Sequence, residues 1–165
     1  MDVTDEASMF QGVQQILEEE GRIDVLINNA GFGAYGTIED VSIENAKYQL
    51  EVNVFGAMRL TQLVLPKMRE NKFGKIVNIS SIGGKFALPY GGWYHASKFA
   101  LEALSDSLRN EVKQFGIDVI VIEPGGVKSE WANIAYDNLV KNSTQSAYER
   151  TIDKLADFMK KATAK

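Results

Sequence analysis

The chain has 165 residues, 45% hydrophobic and 24% charged, the composition of a single soluble globular domain. A formal net charge of −4 offers no basic footprint for nucleic acid, and the absence of Cys excludes disulfides, thiolate nucleophiles and Cys-ligated zinc. A single His excludes a His-rich metal site; with no run of about 18 apolar residues for a membrane and no charged-then-apolar N-terminal pattern, the expectation is a metal-free cytoplasmic protein.

Asp2-Val3-Thr4-Asp5 reads as a strand end running into a helix, with Asp5 as its N-cap. Val13, Ile16 and Leu17 give that helix an apolar stripe, and Gly21 ends it. Asp24 to Asn28 is a short apolar run of strand type. Ser42 then caps a long amphipathic helix with Leu50, Asn53, Val54, Ala57, Leu60, Thr61 and Val64 along one side. It ends near Gly74, and Pro66 is where a kink is expected. Lys75 to Ser80 reads as the next strand. A helix beginning near Tyr94 carries Phe99, Leu101, Leu104, Leu108 and Val112 at helical spacing and stops at Gly116. Ile117 to Glu123 is a third strand, and Thr144 to Lys161 reads as a polar amphipathic helix with no strand after it. There is no internal repeat, low-complexity segment or linker.

Alternating strands and helices predict a parallel sheet with right-handed crossovers. Two such crossovers in one direction put both long helices on the same face. The strands are nearly continuous apolar runs, which suits burial on both faces. Nothing in the chain covers the second face, so the domain reads as incomplete, with an open apolar edge.

The chemistry-bearing residues cluster after the strands. Tyr94 and Lys98 are four positions apart, so on a helix they share a face. An ammonium beside a phenol favours the phenolate and draws a group that titrates near pH ~10 toward neutrality, where it can exchange a proton with a carbonyl or alcohol. Ser81, 13 positions before Tyr94, can hydrogen-bond the same oxygen. Asn28-Asn29-Ala30-Gly31 sits at the carboxyl end of a strand, where open α/β sheets bind ligands, although Asn and Gly also serve plain turns. Asn53 falls on an apolar stripe, where an unpaired amide costs about 1–3 kcal/mol, and a core hydrogen bond to backbone would satisfy it. Pro124-Gly125-Gly126-Val127 follows the third strand.

Taken in order and spacing, this set resembles the short-chain dehydrogenase/reductase family, from Asp2 to about Ser129. The resemblance implies an α/β fold, a partial Rossmann-like doubly wound parallel sheet with three strands retained. It implies NAD(P)-dependent hydride transfer between C4 of a nicotinamide and a carbonyl or secondary alcohol of a small molecule. NAD and NADP are not distinguished, because the family reads that choice from residues near a strand this chain lacks. Tyr94 would be the general acid/base, Ser81 would orient the substrate oxygen, Lys98 would bind ribose and lower the Tyr94 pKa, and Asn53 would support a proton relay through a water. Asp2 would stand near the adenine and Asn28, Ala30 and Gly31 on the adenosine side. Pro124, Gly125, Val127 and Ser129 would bound the nicotinamide together with Tyr94 and Lys98, with the Val127 backbone on the carboxamide. Ser129 stands where the family usually has Thr.

Family members begin with a strand, a Gly-rich turn holding the pyrophosphate, and two further strand-helix units. By that measure residues 1–165 form one incomplete catalytic domain that enters at about the third strand and stops before the last. Residues 128–165 would be the segment over the substrate. A homo-oligomer through the two long helices is implied, with no nucleic-acid or membrane partner. The alternative is a truncated, inactive remnant that acts only by protein association, pairing through its sheet edge.

Three other patterns carry less. Gly31-Phe32-Gly33-Ala34-Tyr35-Gly36 is literally G-x-G-x-x-G, but Thr37 to Val41 intervene before the helix cap, so its amides do not open a helix onto a phosphate. It reads as a loop beside the nicotinamide. His95, the only histidine, adjoins Tyr94 on the wrong side of the helix for a Ser-His-Asp hydrolase and reads as structural. Paired carboxylates of glycosidase type have no distinctive support.

Overall fold

The computed structural model describes residues 1–127, 131–143 and 146–152. Ser129 and most of the stretch from Thr144 to Lys161 lie outside the described residues.

Helix α1 (Glu6–Glu20) starts where Asp5 Oδ1 accepts from the backbone N–H groups of Ala7 and Ser8, and ends at Gly21, whose φ of 71° suits a residue without Cβ. Met9 and Val13 are its buried residues, whereas Ile16 is 46% exposed and lies off the stripe. Ahead of it, the expected strand end at Asp2 is a turn: Asp2 Oδ1 accepts from Thr4 N and Thr4 Oγ1, both at 2.8 Å. This local side-chain bond competes with extended backbone.

Three parallel strands follow, β1 (Val25–Asn28), β2 (Gly74–Ile79) and β3 (Ile117–Ile122), in the spatial order β1-β2-β3. Between β1 and β2 runs α2 (Ile43–Leu50), capped by the Ser42 hydroxyl accepting from Asn45 N, then a π-helical segment over Glu51–Gly56, then α3 (Ala57–Asn71). The departure from α geometry therefore falls upstream of Pro66, which lies within α3. Helix α4 (Gly92–Val112) joins β2 to β3, and α5 (Trp131–Ser143) follows. No described helix is long and apolar enough to cross a membrane.

The core lies on one face of the sheet. Met9 and Val13 of α1, Leu60, Val64 and Met68 of α3, and Val112 of α4 pack with Ile76, Ile117 and Val119 of the strands. Because side chains alternate along a strand, the residues between these point the other way. Val25, Ile27, Ile120 and Ile122 are 49%, 60%, 39% and 46% exposed, so the second face is apolar and open to solvent, as the topology requires. On α4 the stripe runs through Ser97, Leu101, Ser105 and Val112, and Phe99 and Leu104 lie outside it at 44% and 40% exposure.

A polar ladder crosses this core. Asn28 Nδ2 donates to Thr61 Oγ1 at 3.2 Å and to Asn78 Oδ1 at 2.8 Å, and Asn78 Nδ2 donates to Ser105 Oγ at 2.8 Å. Thr61 and Ser105 in turn donate to the carbonyls of Ala57 and Leu101 in their own helices. The ladder thus joins α3, β1, β2 and α4 through buried side chains whose N–H and O–H donors are paired, while Asn28 Oδ1 has no hydrogen-bond partner among the described residues.

Candidate active site

The loops after the three strands meet at one end of the sheet. Ser80 N donates to Ile122 O at 2.8 Å and Ile82 N to Pro124 O at 3.0 Å, so the chain leaving β2 stays zipped to the chain leaving β3. Ser81 caps a short 3₁₀ turn (Ile82–Gly84), its Oγ accepting from Gly83 N at 3.0 Å. Helix α4 then returns past this turn. His95 Nδ1 lies 2.9 Å from Gly83 O, and since a carbonyl only accepts, that nitrogen carries the proton. A methyl group on Gly83 would stand 2.8 Å from His95 Nδ1, so the close approach requires glycine. His95 is thereby a packing residue that presses the 3₁₀ turn against α4.

This arrangement brings Ser81, Tyr94 and Lys98 together on a cavity of about 610 Å³. The Ser81 side chain hydrogen-bonds the Tyr94 phenol. Lys98 Nζ donates to Ile79 O at 2.8 Å and lies 5.9 Å from the centroid of the Tyr94 ring. Burial pushes the Lys98 ammonium down to about 8, opposed by the charge of Glu102. Burial also pushes the Tyr94 phenol above its usual value, and the Ser81 hydrogen bond offsets this only in part. The expected lowering of Tyr94 by Lys98 is not seen in the protein alone: taking a phenol out of water favours its neutral form.

Asn53 sits in the π-helical segment, 1% exposed. Its Oδ1 accepts from Phe32 N at 3.0 Å, and its Nδ2 donates to Phe32 O at 2.9 Å and to Ser97 Oγ at 3.0 Å. The amide therefore clamps the loop after β1 to α4, and its side chain is fully engaged with protein partners. A methyl group at Gly31 would stand 3.2 Å from Asn53 Oδ1 and 3.6 Å from Lys98 Nζ, so Gly31 forms the floor between them.

The other expected contacts divide between two hollows. Gly31, Pro124, Gly125 and Val127 line the large cavity. Asn28 and Ala30 line a second one of about 230 Å³, with Met1, Val3 and Val52. The Asn28 amide nitrogen is committed to the polar ladder, and its Oδ1 has no hydrogen-bond partner among the described residues. Asp2 borders neither cavity; its exposed carboxylate is held below the usual value by the Thr4 hydrogen bonds.

Sequence reasoning missed several participants. Ser97 and Ser105 continue the spacing of Leu101 at four-residue steps, a signal that small polar residues share the buried stripe. Tyr35, within the glycine loop, has its ring centroid 5.6 Å from that of Tyr94 and lines the large cavity, and burial raises its phenol strongly. The side chain of Gln49, 0% exposed, accepts from Ala34 N at 2.5 Å and fixes the same loop. Helix α5 holds it from the other side through Asn138 Nδ2 to Gly33 O at 3.2 Å and Asn142 Nδ2 to Tyr35 O at 2.7 Å.

Comparison with known proteins fits this geometry. A family model described as short chain dehydrogenase matches residues 1–139. A probable short-chain type dehydrogenase/reductase, VdlC, of Helicobacter pylori is 42% identical over 149 residues, 90% of this chain and 55% of the relative. A 3-ketodihydrosphingosine reductase of Bacteroides thetaiotaomicron is 49% identical over 125 residues, 76% of this chain and 46% of the relative. Among solved structures, a short-chain dehydrogenase from Streptomyces avermitilis superposes with a TM-score of 0.75 at 43% identity, covering 76% of this chain and 46% of that one. NAD+-bound xylitol dehydrogenase gives 0.78 at 29% identity, covering 94% and 61%. The chain spans about half the length of the relatives it matches. On its matched family model, its identity to these relatives and its three-stranded Rossmann-like sheet, the chain belongs to the short-chain dehydrogenase/reductase family.

Proposed function

We propose that the chain carries the proton-transfer part of an NAD(P)-dependent oxidoreductase acting on a carbonyl or secondary alcohol. The observation that carries this reading is the meeting of Ser81, Tyr94 and Lys98 on one cavity, with Ser81 hydrogen-bonded to the phenol. A nicotinamide cofactor, NAD or NADP, supplies or accepts the hydride when bound. The residues fit such a group. The Gly31 floor leaves room that a side chain would fill, and Lys98 has donors beyond the one given to Ile79 O among the described residues. The loop from Pro124 to Val127 offers backbone groups along the same wall.

In the reducing direction Ser81 orients the substrate carbonyl, and Tyr94, kept protonated by burial, gives its proton to the oxygen as negative charge develops there. Lys98 places positive charge beside that oxygen and beside the ribose position. In the oxidising direction the same phenol takes the proton back. Asn53 acts by holding the loop after β1 in register with α4. The far side of the cavity is apolar, with Ile82, Phe86 and Leu88 44%, 45% and 58% exposed, which favours a carbonyl compound with apolar substituents. Helix α5 holds the loop that carries Tyr35 through Asn138 and Asn142, and residues 128–165 are our candidate for the segment that bounds the substrate.

The test is oxidation of NADH and NADPH by the purified chain over a panel of apolar ketones, with Tyr94→Phe alongside. Turnover that falls by about 10²–10⁴ in the Phe variant is expected; equal turnover in both would overturn the assignment of Tyr94. A second reading, an inactive remnant that acts by association, is favoured by the open apolar sheet face. Absence of turnover in the wild-type chain, together with a stable complex abolished by charged substitutions at Ile27 and Ile120, would select it.

A further inference from the structure

Glu102 lies on α4 one turn beyond Lys98 and is 7% exposed, an unusual place for a carboxylate. Its Oε2 accepts from Lys85 Nζ at 2.9 Å, while its Oε1 has no hydrogen-bond partner among the described residues. Lys85 Nζ also lies 3.2 Å from Glu123 Oε1, at the end of β3. A buried carboxylate with one oxygen left unpaired is costly, and a leucine of similar volume would pack α4 without that cost. Space is kept for it deliberately: a methyl group on Gly84 would stand 2.9 Å from Glu102 Cγ and 2.9 Å from Ser80 Oγ. The turn that carries Ser81 can close on this carboxylate only because residue 84 is glycine.

The charges around Lys98 account for this placement. Tyr94 and Glu102 flank it on α4, one turn to either side. From the loop after β2 comes Lys85, from the end of β3 comes Glu123, and from the loop after β1 and the π-helical segment come only the neutral Tyr35, Gly31 and Asn53. Glu102 is the buried anion of the set. We propose that Glu102 is a positioning residue for the active site: its carboxylate keeps the buried Lys98 ammonium charged, and its bond to Lys85 fastens the Ser81 turn and the β3 end around that ammonium. The inference rests on the assignment of Lys98 to the proposed site. Its physical basis is that burial alone drives a lysine toward the neutral amine, which can neither stabilise a developing alkoxide nor bind ribose as a cation. A neighbouring carboxylate opposes that drift.

The test follows the Lys98 side-chain nitrogen by NMR across a pH titration in the wild-type chain, Glu102→Gln and Lys85→Met. Both variants lose the Lys85–Glu102 ion pair, but only Glu102→Gln loses the anion. The expected result is a Lys98 midpoint lowered by about one pH unit or more in Glu102→Gln, the scale of an opposite charge within about 4–6 Å. In Lys85→Met it stays or rises, since a like charge has gone. An unchanged midpoint in Glu102→Gln, or equal downward shifts in both variants, would reduce Glu102 to a structural clip and overturn the proposal. If Glu102→Gln does not fold, Glu102→Asp takes its place. The midpoint then stays close to wild type with the charge retained, and a drop of a full unit would count against the proposal. None of these readings needs turnover, so failure of the proposed reaction shows separately in the cofactor assay.

Discussion

The buried lysine gives the chain an unusual response to alkali. Lys98 is 5% exposed, and burial lowers its pKa from 10.5 to about 8, with the Glu102 charge opposing. Between those two values the unfolded chain holds a proton that the folded chain has released. Stability rises with pH wherever the unfolded state binds more protons, so this lysine makes the protein more stable as the pH climbs from about 8 toward 10.5. Below that window both states are protonated and the full cost of burying the ammonium is present. The total gain is about 3 kcal/mol at ~1.4 kcal/mol per unit, of which about 2 kcal/mol falls between pH ~7.5 and pH ~9.5. The perturbation is Lys98→Met, which removes the titration but keeps most of the volume. The lost bond to Ile79 O adds an offset that does not depend on pH. Tyr35 and Tyr94, both pushed upward by burial, stay protonated over this range in the folded chain. Urea unfolding at the two pH values, for wild type and variant, isolates the effect as a difference of differences. With a slope of about 2 kcal/mol/M, the wild-type midpoint gains about 1 M over the variant between the two pH values. A difference that stays flat within about 0.5 kcal/mol, or falls, would refute the depressed titration.

Two further outcomes are expected. Met68, 0% exposed and packed against Gly74, leaves a cavity in Met68→Ala that costs about 2–5 kcal/mol by chemical denaturation, whereas a loss under about 1 kcal/mol would mean the core is not closed there. The π-helical segment leading into α3 leaves Phe55 57% exposed, and α4 leaves Phe99 and Leu104 44% and 40% exposed, which suits a homodimer through the long helices; light scattering should give twice the chain mass, falling to one in Phe55→Glu with Phe99→Glu, and a wild-type monomer would discard the interface.

How much of this was readable in advance depends on the kind of signal. Strand-helix alternation, the caps at Asp5 and Ser42 and the stop at Gly21 are local, and each is written in a few neighbouring residues. The open sheet face followed from crossover handedness together with the lack of any other predicted element to cover it. The shared face of Tyr94 and Lys98 followed from helical spacing. What escaped depends on contacts distant in the chain. The π-helical segment at Glu51–Gly56 has no composition cue, yet it is where Asn53 turns to the loop at Phe32. Ile16, Phe99 and Leu104 have the right residue type at nearly the right spacing, and only the position of the neighbouring elements decides that they face outward. Glu102 illustrates the opposite case. A glutamate on a helix reads as solvated, and nothing nearby in sequence shows that Gly84 and Ser80 will enclose it. The Tyr94 titration escaped for a related reason: proximity to Lys98 is legible from spacing, but the degree of desolvation is not.

The Asn28–Asn78 rung also acts as an index between strands. Those two residues face each other in the register of β1 and β2, and Asn78 pairs with Val121 of β3. Three residues beyond this row the chain reaches Gly31, Ser81 and Pro124, one from each strand. A slip of one residue would turn an asparagine onto the opposite face, away from its partner, so the slipped sheet is excluded by two unpaired amides rather than by apolar packing, which a run of Ile and Val tolerates in either register. The depth at which those three loop residues arrive beside Tyr94 is thus set from within the sheet, before any ligand enters.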